Sequence, residues 1–327
     1  MNREAAFSLL MPIMKHAAVL LFTLVSGLLM LVHLAAAQQD ASPSIGENKI
    51  VATSVPDLKP DAQGAISQEQ MQQLFRVVAA NDLENDKRLR NYTYVERDDE
   101  HKLDGDGQIK SSDVKSYEVL ELYGEQVRRL TEKDDKPLDS KDAAKEEEKL
   151  QKIIDKRKEE TDDARQKRED KEEKDREHDR QFVREVADAY NFHLVGTEAL
   201  EGRDAWVIDA EPRPGYEPHM KDAKFLPKFR FRAWIDKGEA QWAKLDVECI
   251  ETVSIGLFLA RIHKGSRIVI EQKRVNDEVW LPLHVSLKID ARVALLKEDR
   301  VEQDVTFRDY KKFRASTRIV NLGETKP

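Results

Sequence analysis

Residues 229–248 read FRFRAWIDKGEAQWAKLDVE, and their apolar positions recur with a period of two. Phe229, Phe231, Ala233 and Ile235 alternate with Arg230, Arg232, Trp234 and Asp236. Past Gly238, Ala243, Leu245 and Val247 alternate with Lys244, Asp246 and Glu248. Successive strand side chains point to opposite faces, so the stretch is a hairpin with one buried and one solvated face. Charge selects its register. In one pairing Arg232 meets Asp246 and Arg230 meets Glu248; slipped by two residues, Arg232 faces Lys244 instead. A cross-strand pair contributes roughly 0.2–1 kcal/mol, which favours the first pairing. The expected loop is 237–241, with Phe229, Phe231, Ile235, Leu245 and Val247 on the buried face.

Strand signals extend on both sides of this hairpin. NYTYVER (91–97), VKSYEVLELYG (114–124) and QVRRLTE (126–132) precede it, with FHLVG (192–196) and DAWVIDA (204–210) nearer. RIVIEQKRV, a turn at Asn276-Asp277 and VWLPLHVSLKIDARV follow. In the last run Leu283, Val285, Leu287, Ile289, Ala291 and Val293 share one parity. VEQDVTFRDY (301–310) and STRIV (316–320) complete a mostly antiparallel sheet. Ile255–Ala260, IGLFLA, is the one long apolar run here. It reads as a strand buried on both sides, with a greasy loop touching lipid through Leu257, Phe258 and Leu259 as the alternative.

Helices are fewer. Ser67 and Gln70 form an S-x-x-Q capping box, and Met71, Leu74, Phe75 and Val78 fall at i, i+3, i+4 and i+7, predicting an amphipathic helix to about Leu83. Between Lys141 and Arg180, 30 of 40 residues are charged, 14 basic and 16 acidic, so no face of one sign forms. From Asp155 to Gln181 only Ala164 is apolar, which leaves nothing to bury. Acid-then-base pairs such as Glu148 and Lys152 support one long solvated helix over 141–181, projecting on the order of 40 Å. It should re-enter the fold at Phe182, Val183, Val186 and Ala187.

The address is readable as well. Arg3 and Lys15 precede an apolar run from Ala17 to Leu34 that ends in Ala35-Ala36-Ala37, a cleavable export signal with cleavage expected after Ala37. Residues 38–65 read as a flexible leader, 66–320 as one domain interrupted at 141–181, and 321–327 as a tail. Residues 1–37 carry a net +1, so the formal charge of −8 becomes −9 on cleavage. With acids and bases interleaved, nucleic acid is not an expected partner, and no membrane span is expected once the signal is gone. Cys249 is the sole cysteine and reads as a buried, inert thiol.

Four stretches carry a family resemblance: GTEALEGR (196–203) before a strand, the WID hairpin at 234–236, NDEVWLP (276–282) and FRDYKKF (307–313). Over residues 189–313, and more weakly through the Tyr-rich strands and the helix at 67–83, the sequence resembles the periplasmic lipoprotein-carrier superfamily. That is the LolA/LolB-like fold shared with RseB-type envelope sensors. The resemblance implies an α+β, mainly antiparallel fold: a curved half-barrel whose concave apolar face is covered by helices and admits acyl chains. The charged stretch 141–181 has no counterpart in the family pattern.

Chemistry is sparse by contrast. No histidine pair has metal-ligand spacing, and neither a nucleophile elbow nor a phosphate loop is present. KLDGDGQI (102–109) imitates part of a calcium loop, yet Lys102 stands where an acid is required, so a turn of two Asp-Gly steps is expected. No catalytic residue, cofactor or metal is expected. The leading expectation is a periplasmic binding protein, carrier or sensor, holding a lipid, acylated protein or other hydrophobic ligand against Phe229, Phe231, Ile235, Leu245, Val247, Val285, Leu287 and Ile289, with helix 67–83 as lid. The alternative is a structural protein with a self-filled core that docks an envelope partner through helix 141–181.

Overall fold

The structure is a computed structural model that describes residues 55–122, 125–255, 260–293 and 297–312. Its strands are β1 (Ala65–Ile66), β2 (Tyr92–Leu103), β3 (Ile109–Leu122), β4 (Glu125–Lys133), β5 (Lys136–Pro137), β6 (Tyr190–Leu200), β7 (Arg203–Pro212), β8 (Phe229–Asp236), β9 (Trp242–Cys249), β10 (Val253–Ile255), β11 (Ala260–Ile262), β12 (Arg267–Val275), β13 (Val279–Val293) and β14 (Lys297–Lys312). They form one antiparallel sheet in the order β1-β6-β7-β8-β9-β12-β13-β14-β2-β3-β4-β5, with β11 beside β13 and β10 beside β11. The sheet does not close, so the fold is a curved α+β half-barrel.

The β8–β9 register follows the charge argument. Arg230 faces Glu248, Phe231 faces Val247, Arg232 faces Asp246 and Ala233 faces Leu245. The ion pairs differ from the register. Arg230 reaches Glu248 at 2.7 Å, whereas Arg232 turns to Asp209 on β7 and Asp246 receives Arg267 from β12. The outer face thus carries a row of alternating sign, Asp209, Arg232, Asp246 and Arg267, across four strands. A bulge between Trp234 and Ile235 brings Ile235 opposite Trp242 just before the loop.

Helix α1 (Gln68–Leu89) starts at Ser67, whose hydroxyl accepts from the Gln70 amide. The capping box is only half made. Gln70 points outward, where its Oε1 accepts from Lys59 N at 3.0 Å and its Nε2 donates to Lys59 O at 3.2 Å. The helix runs a turn and a half beyond the apolar stripe because Asp82 and Asn85, both buried, continue its inner face as polar residues.

The expected leader through residue 65 ends sooner, since Leu58 is in the core and Ala65–Ile66 pair with β6. Gly64 adopts φ 86° with the His193 ring against it; a Cβ there would lie 2.4 Å from the ring. The positive φ is what favours glycine here, since the His193 ring is the end of an exposed side chain and can give way.

The single long helix expected over 141–181 is instead two: α2 (Ser140–Lys158) and α3 (Asp162–Ala189). Thr161 caps α3 by accepting from Ala164 N, and Glu160 in the joint takes both Arg157 and Arg168. Nor does the whole segment project into solvent. Leu150 is 3% exposed and Glu146 Oε2 accepts from Leu130 N on β4, so α2 packs along that strand. The apolar re-entry at Phe182, Val186 and Ala187 is buried on α3.

IGLFLA is likewise not one strand. Ile255 pairs with Ala260 across a β10–β11 hairpin, leaving Leu257, Phe258 and Leu259 outside the described residues. The export signal, STRIV and the tail also lie outside them. The Asp-Gly segment closes the β2–β3 hairpin, with Asp104 Oδ1 accepting from the Asp106 and Gln108 amides. Cys249 is buried, and burial pushes its thiol up to about 11.

Candidate functional site: an apolar cavity under two helices

The inner faces of β8 and β9 meet helices α1 and α3 imperfectly, and a cavity of about 100 Å³ remains between them. Its sheet wall is Phe229, Phe231, Ala233, Ile235, Trp242, Leu245 and Val247. Phe75, Val78, Ala79 and Asp82 come from α1, Phe182, Val183 and Val186 from α3, and Tyr190 and Leu226 close the remaining side. Leu226 lies on a 3-10 turn, Asp222–Lys228. Aromatic rings set one boundary: Tyr190 and Phe231 lie edge to face at 4.8 Å, and Phe75 meets Phe192 at 5.4 Å. The Tyr190 hydroxyl donates to Leu226 O at 2.7 Å, and burial raises its pKa above that of an ordinary tyrosine.

Five of the eight residues expected from sequence, Phe229, Phe231, Ile235, Leu245 and Val247, come together in this wall. Val285, Leu287 and Ile289 do not line it. Val285 is buried in the same core, and Leu287 and Ile289 pack half-buried against it on β13. Strand parity assigns a residue to a face but not to the part of the face that a helix covers. Sequence reasoning missed Ala79, Asp82, Tyr190, Leu226 and Trp242; Phe75 and Val78 belong to the helix expected as the lid, and Phe182, Val183 and Val186 to the expected apolar re-entry, which had no stated partner.

Two kinds of contact hold the cover. α1 is tied to the β8–β9 loop, β9 and β13 by buried and half-buried polar groups. Asn81 Nδ2 donates to Glu239 O at 2.6 Å, Asp82 Oδ1 accepts from Gln241 Nε2 at 2.7 Å and Trp242 Nε1 at 3.3 Å, and Asn85 is bonded to the Trp280 backbone. α3 is held from its edges, by Gln68 to Ala187 O, Gln72 to Asp188 at 2.6 Å, and Tyr216 and the His219 amide to the Glu185 carboxylate at 2.9 and 2.6 Å. Among the described residues, α3 has the fewer direct ties to the strands beneath the cavity.

A ligand site for a drug-sized molecule is typically about 300–1,000 Å³, so 100 Å³ admits the end of a chain and not a whole lipid. A larger occupant requires the cover to shift. Among the described residues no group of three or more His, Cys, Asp or Glu could hold a metal ion. Two histidines are engaged locally, His263 between β11 and β12 with Asp290 and His284 on β13 with Asp304, each at 2.8 Å. No described helix is long and apolar enough to cross a membrane.

No protein-family model and no curated protein matches this sequence. Several solved structures are similar to it, among them the following three. One is a candidate outer membrane lipoprotein-sorting protein domain from Vibrio parahaemolyticus, with 10% identity, 77% of this chain and 96% of that chain covered, and a TM-score of 0.33. A LolA superfamily protein from Nitrosomonas europaea has 10% identity, 75% and 94% covered, and a TM-score of 0.26. MucB in complex with MucA(peri) has 11% identity, 73% and 94% covered, and a TM-score of 0.21. At such TM-scores the likeness carries no functional weight of its own.

Proposed function

We propose that this protein is an exported, periplasmic, non-enzymatic carrier or sensor that holds a hydrophobic ligand, a lipid chain or an acylated protein, between the half-barrel and its helical cover. The supporting observation is the cavity, whose wall of fifteen apolar residues and one acid offers burial and almost no polar recognition. Apolar surface leaving water contributes about 25 cal/mol per Å², so transfer of a chain end from water drives binding, and displacement of α3 lengthens the chain that can enter.

The test is mass spectrometry of organic extracts from residues 38–327 purified from an envelope fraction without detergent. A stoichiometric lipid or acylated peptide supports the reading. A ligand-free protein that also fails to take up neutral apolar probes overturns it. The small cavity then favours the second reading, a self-filled core whose charged helices dock a protein of the envelope.

A further inference from the structure

Helices α2 and α3 follow one another in the chain, yet they dock at opposite ends of the strand order. α2 packs along β4, at the β3-β4-β5 end of the sheet. Leu150 is buried there, Glu146 accepts from the Leu130 amide and Asp142 holds Lys133 at 2.6 Å. α3 covers the cavity with Phe182, Val183 and Val186 and passes directly into β6 at Tyr190, beside β1 at the other end. The joint at 159–161 is set by Glu160, which takes Arg157 of α2 at 3.0 Å and Arg168 of α3 at 2.9 Å. All three side chains are less than one-fifth exposed.

α3 is therefore a rod pinned at both ends, and leverage decides which pin governs a tilt. Its 28 residues span about 42 Å, and Phe182 lies about 12 Å from the pivot at Tyr190. The polar ties of its last turns engage Glu185, Ala187 and Asp188. These lie within about 8 Å of that pivot, where they resist a tilt least; His178 adds a contact to Asp222 at 3.1 Å. Lifting Phe182 by about 3 Å would carry the joint through about 10 Å, which a docked α2 forbids. We propose that α2 is the tether of the cover: docked on β4, it fixes the joint and keeps α3 down on the cavity, and its release lets α3 tilt about Tyr190 and the chamber lengthen. The effect on uptake rests on the hydrophobic-ligand reading above; the coupling between the helices does not.

The test uses two variants of the mature chain. Leu150→Ala undocks α2, whereas a flexible Gly-Ser insertion between Glu159 and Glu160 leaves α2 on β4 and slackens the joint. Without ligand, hydrogen exchange across 182–189 should quicken at least about tenfold in both, with 68–89 unchanged. The rate of 1-dodecanol uptake should rise in both, while 1-butanol, short enough for the closed chamber, binds as in wild type. The proposal is overturned if the insertion variant, with 140–158 still protected, keeps wild-type exchange across 182–189. It is equally overturned if 1-butanol binds and neither variant speeds 1-dodecanol. Failure of every form to bind either alkanol overturns the ligand reading beneath it, and the exchange result then decides the tether by itself.

Discussion

Asn85 on α1 and Trp280 on β13 exchange two hydrogen bonds: Asn85 Nδ2 donates to Trp280 O at 2.7 Å and Trp280 N donates to Asn85 Oδ1 at 2.6 Å. One side-chain amide thereby satisfies both backbone groups of a strand residue under a helix. Replacing it with leucine leaves a buried N–H and a buried C=O without this partner, and each orphaned group costs about 1–3 kcal/mol. We expect Asn85→Leu to destabilise the fold by about 2–4 kcal/mol in urea unfolding, with a loss below 1 kcal/mol counting against this role.

Ala79 and Leu287 separate the observed cavity from the one expected by parity. Ala79 lines it, whereas Leu287 packs against the same core elsewhere. Ala79→Leu should fill the space, block uptake of an apolar probe and raise stability by about 0.5–2 kcal/mol, as cavity filling commonly does. Leu287→Trp should leave uptake unchanged. The reverse pattern, with uptake lost only in Leu287→Trp, would move the site to β13.

The hairpin register was legible because two independent signals, alternation and facing charge, agreed over the same residues. The end of α1 was not. Asp82 and Asn85 are buried, but a polar residue contributes to periodicity as if it were exposed, so the pattern stopped near Leu83. The break between α2 and α3 left a sequence signal in Thr161 before Asp162 and Asp163, an N-cap followed by first-turn acids. Uniform charge around it, with no Gly or Pro, concealed that signal. The cavity needed knowledge of which strands lie under which helix, and no local pattern carries that.

Cys249 is 0% exposed, with Sγ donating to Glu251 O at 3.0 Å. Burial lifts its thiol from an ordinary value near 9 to about 11. The folded state thus holds the thiol proton more tightly than the unfolded state. Its contribution is fully present below pH 9 and is lost as pH rises through about 11. Reaction with Ellman's reagent at pH 8 should be at least about 100-fold slower in the native protein than in guanidinium, since the thiolate is the nucleophile. Comparable rates would mean that the site opens readily.

Leu150 distinguishes a docked α2 from a free charged spacer. It is 3% exposed, and Glu146 one turn earlier accepts from Leu130 N at 3.4 Å, so α2 shields the outer edge of β4. An uncovered edge is a template for pairing with other chains. Leu150→Ala removes the buried anchor at a cost of about 2–5 kcal/mol if the site is fully packed, and the cost falls on α2 docking before it falls on the sheet. The expected result is faster hydrogen exchange across 140–158, with β8 and β9 unchanged. A greater tendency to associate should follow as the β4 edge is exposed. Lys167→Ala on the charged part of α3 should change neither by more than about 0.5 kcal/mol. If Leu150→Ala is equally silent, α2 is not docked, and the two helices act together as the spacer that their composition alone suggested.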